Sequence, residues 1–102
     1  MGDFVKVAKN DDLEKNKGFC VEVEGKMISL YRQDDCIYAI DDICPHAHAH
    51  LSEGVVNGDE VVCPLHFATF NIKTGECTGP PASDDVATYV VRVVGEDVEI
   101  QI

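Results

Sequence analysis

The sequence predicts an all-β fold, an antiparallel β-sandwich or barrel that carries a small loop-rich region. Three observations support this. Short runs rich in Val, Ile, Phe and Tyr alternate at period 2 at both ends of the chain, and turn residues separate them at regular intervals. The helical signal is confined to a single turn. The 102 residues are expected to form one domain, 1–102.

Phe4-Val5-Lys6-Val7 alternates as a first strand, and Asn10-Asp11-Asp12-Leu13-Glu14 reads as one helical turn with Asn10 or Asp11 as its N-cap. Phe19 to Val23 and Met27 to Tyr31 flank Glu24-Gly25-Lys26 as a hairpin. On that strand Cys20 faces away from Phe19, Val21 and Val23, towards partial exposure. Gln33-Asp34-Asp35 is a turn, and Cys36 to Ile40 is a third long strand. Between about 41 and 82 the pattern loosens. All four prolines and all four histidines fall there, and only Glu60–Cys63 and Phe67–Ile72 read as strands. Ala87 to Val94 and Val98 to Ile102 then flank the turn Gly95-Glu96-Asp97.

The net charge is −11, which makes the distribution of basic residues informative. No Lys or Arg lies between Arg32 and Lys73, a stretch with seven carboxylates: Asp34, Asp35, Asp41, Asp42, Glu53, Asp59 and Glu60. Nucleic acid is excluded as a partner because phosphate binding needs cations. The acidic stretch either steers encounters with basic protein surfaces or keeps the protein in solution. No apolar run approaches the roughly 20 residues of a membrane span. The first residues lack the features of a signal peptide, so a cytoplasmic location is expected.

Cys44-Pro45-His46 and Cys63-Pro64-Leu65-His66 carry the chemistry, with 16 residues between them. Two thiols and two imidazoles in mixed pairs read as a metal or iron–sulfur site. Three centres use such ligands. A structural zinc site usually groups Cys with Cys and His with His, unlike the mixed pairs here. A catalytic zinc site, or an iron held by two His and a carboxylate, would leave two thiolates unexplained. A [2Fe–2S] centre with two Cys on one iron and two His on the other suits one Cys and one His on each loop.

These motifs resemble the Rieske family, whose pattern is C-x-H followed by C-x-x-H after about 15–17 residues. The resemblance extends to Ile37–Ile43, Leu51-Ser52-Glu53-Gly54, Thr74-Gly75-Glu76 and Gly79-Pro80-Pro81. The lack of an anchor and the small size are similar to the soluble Rieske ferredoxins of bacterial aromatic-ring dioxygenase systems. The resemblance implies one [2Fe–2S] cluster in a cluster-binding subdomain of about 41–82. Cys44 and Cys63 would hold one iron, and His46 and His66 the other. It further implies an electron carrier, not an enzyme. The electron would come from a flavin-dependent NAD(P)H reductase and pass to a terminal Rieske dioxygenase, through transient contacts made by a monomer. A structural zinc-binding interaction module and the small subunit of an assimilatory nitrite reductase are the alternatives.

His48 and His50 follow the ligand histidine at every second position and are read as bystanders. Cys20, Cys36 and Cys77 are read as unmodified thiols. High-potential members of the family carry a disulfide, one of whose places here is Leu65. They also carry Ser and Tyr hydroxyls towards the cluster sulfur, at the places of Ala68 and Phe70. The resemblance therefore implies a potential in the lower part of the range of about −150 to +300 mV. Phe67 and Phe70 are expected in the core, with a place at the docking rim as the other reading of Phe67.

Overall fold

In the computed structural model the described residues are 3–33, 36–44, 49–65, 67–79 and 84–101. They form antiparallel sheets, with helix limited to two 3-10 turns. The strands are β1 (Phe4–Lys9), β2 (Phe19–Val23), β3 (Lys26–Gln33), β4 (Cys36–Asp41), β5 (Val55–Asn57), β6 (Glu60–Val62), β7 (Thr69–Asn71), β8 (Thr88–Tyr89), β9 (Val91–Val94) and β10 (Asp97–Gln101). They make three sheets of order β1-β10-β9, β2-β3-β4-β8 and β5-β6-β7.

The β2–β3 hairpin forms as the sequence predicts. Val23 pairs with Lys26, so Glu24 and Gly25 form a two-residue loop in which both φ angles are positive, +51° and +83°. Such loops match the twist of the flanking strands. Period-2 alternation then sorts the sheet's faces. Phe19, Val21, Ile28, Leu30 and Ala39 pack into an apolar cluster with Val98 and Ile100 of the first sheet. Tyr31 and Ile40 point the other way, into a second cluster with Cys44, Cys63 and Phe70. Cys20 lies opposite Ser29 on this second face and is exposed, as expected.

Three expectations are corrected. The cap of the 3-10 turn Asn10–Asp12 is Lys9, whose amide donates to Asp12 Oδ2 at 3.0 Å, because the acidic side chain reaches back to it. Ala87 to Val94 is not one strand. Tyr89 pairs with Ala39, Val91 pairs with Ile100, and the chain changes sheets at Val90. The Tyr89 hydroxyl, which donates to Asp41 Oδ1 at 2.5 Å, holds the first half in place. A further strand, β5, precedes β6 and is joined to it through Gly58 and Asp59. The turn Gln33-Asp34-Asp35 lies partly outside the described residues, although Gln33 and Cys36 pair across it.

Candidate metal centre

Strand β4 leads directly into the first cysteine. Ile43 bridges His50, and between them the Cys44 amide donates to the Ala49 carbonyl at 2.9 Å. The second cysteine leaves β6 in the same way. The Cys63 amide donates to the Ala68 carbonyl at 2.7 Å, five residues on, as in the first loop. Phe67 then donates its amide to the Cys63 carbonyl at 3.0 Å and takes a left-handed φ of +62°. That conformation is uncommon for a bulky residue.

Both cysteines are fully buried and belong to one apolar cluster with Ala49, Leu51, Val61, Ala68, Phe70 and Ile72. None of the five cysteines forms a disulfide. His46, His48 and His66 lie outside the described residues, as do Pro80 and Pro81. The structure thus brings Cys44 and Cys63 into a shared interior, at equivalent positions of two matched loops.

This donor set fits a metal–sulfur cluster. Two thiolates in a dry interior are costly unless a positive charge neutralises them. The sequence supplies no Lys or Arg between positions 32 and 73 to do so. A metal does, because a coordinating thiol is deprotonated outright. Ala68 and Phe70 are both fully buried and bring no hydroxyl to this interior.

Phe70 is core, as expected, whereas Phe67 is 73% exposed and is not. Its left-handed backbone keeps the aromatic ring out of the interior. Phe67, Leu65 and Val55 are among the exposed large apolar side chains. An apolar cleft of about 260 Å³ between Gly54, Val62, Cys63 and Phe67 opens beside the second loop.

Asp42 is the residue whose role the sequence did not announce. It is fully buried, and Oδ1 accepts the Ser52 amide at 2.8 Å. Oδ2 contacts His50 Nδ1 at 2.5 Å and accepts the Cys20 thiol at 3.4 Å. Burial pushes its carboxyl upward, but the hydrogen bonds from His50 and Ser52 outweigh this and leave it below the usual range. His50 is pushed upward by the same hydrogen bond and by the charge on Asp42.

A family model of the Rieske [2Fe–2S] domain matches residues 3–90. The ferredoxin component of the naphthalene 1,2-dioxygenase/salicylate 5-hydroxylase systems of a Ralstonia species is 36% identical over 91 residues, 89% of this chain and 88% of its own. The ferredoxin of carbazole 1,9a-dioxygenase from Nocardioides aromaticivorans IC177 superposes with a TM-score of 0.90 at 34% identity, covering 95% of both chains. A ferredoxin-fold match also comes from a complex of reduced oxygenase and oxidised ferredoxin in carbazole 1,9a-dioxygenase. Its TM-score is 0.89 at 31% identity, covering 96% of this chain and 92% of the other.

Proposed function

The chain belongs to the Rieske [2Fe–2S] domain family and has one such cluster as its cofactor, and from that premise we propose that it passes single electrons from a flavin-dependent NAD(P)H reductase to a terminal Rieske dioxygenase in aromatic compound breakdown. It is an electron carrier and not a catalyst. In this reading Cys44 and Cys63 hold one iron, and His46 and His66 hold the other. The protein works as a cytoplasmic monomer of one domain, with residues of about 41–82 binding the cluster. The observation that carries the reading is the pair of buried cysteines on matched loops, next to an exposed apolar edge. The relatives named as ferredoxin components of dioxygenase systems, and the neighbour seen with its oxygenase, support the choice of partners.

The bound cluster supplies a one-electron couple, and the chain supplies its surroundings. Leu51, Val61, Phe70 and Ile72 keep water from the two sulfurs. Dry surroundings and the absence of hydroxyls at positions 68 and 70 disfavour the added negative charge of reduction, which supports a low potential. Leu65 and Phe67 offer a partner an apolar contact beside the second loop, while the acidic surface speeds the encounter. Such brief binding suits a carrier that must release each partner in turn.

Reconstitution tests this reading. With NADH, a flavin reductase and a terminal dioxygenase, product should form only when this protein is added. The reduced protein should give the rhombic EPR signal of a Rieske centre, with a midpoint below zero. Cys63→Ser should abolish both. A colourless protein with stoichiometric zinc and no acid-labile sulfide would overturn the proposal.

A further inference from the structure

At the base of the first cysteine loop, a second group of metal-binding side chains converges. Cys20 comes from β2, Asp42 from the end of β4, and His50 from beyond the first loop. Their donor atoms all lie within 4.8 Å of one another. We propose that Cys20, Asp42 and His50 form a second metal site, separate from the iron–sulfur centre, that takes a divalent d-block cation of the zinc type.

The donor chemistry selects that class. One thiolate, one imidazole and one carboxylate are a borderline-soft set that favours zinc over calcium or magnesium. Three protein ligands leave a fourth position for water, as in open zinc sites. Tetrahedral zinc with bonds of about 2.0–2.3 Å spaces its donors by about 3.3–3.6 Å. Cys20 Sγ and Asp42 Oδ2 already stand 3.4 Å apart. His50 Nδ1 and Asp42 Oδ2 are 2.5 Å apart and must open by roughly 1 Å. The His50 side chain is 42% exposed, so it has room to do this. Asp42 is the fixed point, with its second oxygen held by the Ser52 amide.

A second observation points to the same place. Tyr31 is fully buried, and its hydroxyl has no hydrogen-bond partner among the described residues. Burial raises its pKa most, the neighbouring Ser29 hydroxyl lowers it, and the charges of Asp42 and Cys20 raise it further, so the hydroxyl lies within their field. Ser29, on the same face of β3, uses its own hydroxyl on the Ile40 carbonyl at 3.4 Å. A buried hydroxyl left without a partner is costly, because it gives up its bonds to water and gains none. Water carried on a cation at this site gives it a partner.

Binding a cation here must displace protons. With no ion, the Cys20 thiol is pushed up to about 11, first by burial and then by Asp42, with Glu53 adding to it. His50 also feels Asp42 and Glu53. A divalent ion reverses this balance. On binding, the thiol proton and the proton shared by His50 Nδ1 and Asp42 pass to solvent, and the thiolate and the imidazole nitrogen coordinate in their place. The ion would tie β2 of the scaffold to the chain on either side of the first cysteine loop.

Thiol protection in the cluster-loaded protein tests the site, with Cys36 as an internal control because it too is exposed. Micromolar zinc should slow alkylation of Cys20 about ten-fold, since only the free thiolate reacts, and should leave Cys36 unchanged. Mass spectrometry of the two peptides reads both rates, and the visible spectrum confirms that the cluster survives. Calorimetry should give one zinc per chain, and His50→Ala should remove both the protection and the heat. Equal protection of Cys36, or none at Cys20, would overturn the proposal. Protection that survives His50→Ala but falls in His48→Ala would do so too, by assigning the ion to the histidine run. This readout does not depend on electron transfer to any partner.

Discussion

In the first cysteine loop the Cys44 amide donates to Ala49, and in the second the Cys63 amide donates to Ala68. The span is the same in both, but the support is not. The first loop is moored by Asp42. Its amide donates to Met27, its carbonyl accepts the Leu51 amide at 2.6 Å, and its carboxylate takes Ser52 and His50. The second loop rests on the β6–β7 hairpin and on a turn that ends at left-handed Phe67. Buried polar bonds fix one loop, while backbone geometry fixes the other and turns apolar side chains outward. Among the described residues, the loop that presents Leu65 and Phe67 is thus the one closed by backbone hydrogen bonds. It can give its side chains to a partner, whereas the first loop uses them inward.

The harshest test acts where the two loops are joined. A Cβ built on Gly54 would lie 1.9 Å from the Val62 carbonyl oxygen, the residue before Cys63. Backbone cannot yield as a flexible side chain does. Gly54→Ala should therefore cost about 3 kcal/mol or more in urea denaturation. It should also yield protein without the visible absorption of the cluster. Normal cluster content would show that the second loop tolerates displacement and that its geometry is less exacting than argued.

Asp42→Ala attacks the first mooring alone. It leaves the Ser52 amide without its acceptor and removes the partner of His50. The expected loss is about 2–3 kcal/mol by urea denaturation. Phe67→Asn attacks the second loop with the opposite sign. Asn tolerates the left-handed region that costs other L-residues roughly 1–2 kcal/mol. Stability should rise by about 0.5–1 kcal/mol, while electron delivery to an oxygenase should need more protein to saturate. If the two variants destabilised alike, the contrast between polar and geometric support would be lost.

How well each part could be read from sequence follows from the range of the interactions behind it. Phe19 to Val23 was legible residue for residue, because period 2 is a local signal. The switch of sheets at Val90 was not, since Tyr89, Val91 and Val93 alternate without a break and only their partners differ. Strand β5 has three residues, too few for a pattern, although the Gly58-Asp59 turn beside it was a usable signal. The cysteine pairs were visible through their spacing. Asp42 looked like one acid among seven because its partners Cys20, His50 and Ser52 are brought to it by the sheet and the loop. Phe67 was misjudged as core because nothing near it signals a positive φ. An aromatic residue beside a ligand otherwise reads as buried.

The gentlest test separates the two halves of the Asp42 mooring. His50 is held above its ordinary value of about 6.5 by the hydrogen bond it donates to Asp42 and by the Asp42 charge. Its contribution is therefore complete below about pH 6.5 and is lost as pH rises through the folded-state pKa. Asp42 lies below its ordinary value, so its contribution is present above about pH 4 and fails only as acid reaches its own lower pKa. In buffer free of divalent ions, His50→Gln should be less stable than the parent at about pH 6 and nearly equal to it at about pH 9. The gap should be small, because the imidazole is partly exposed and water screens the pair. A gap that stays constant across this range would mean that His50 only packs against the loop. The mooring would then rest on the bond from Ser52 to Asp42, which does not titrate near neutrality.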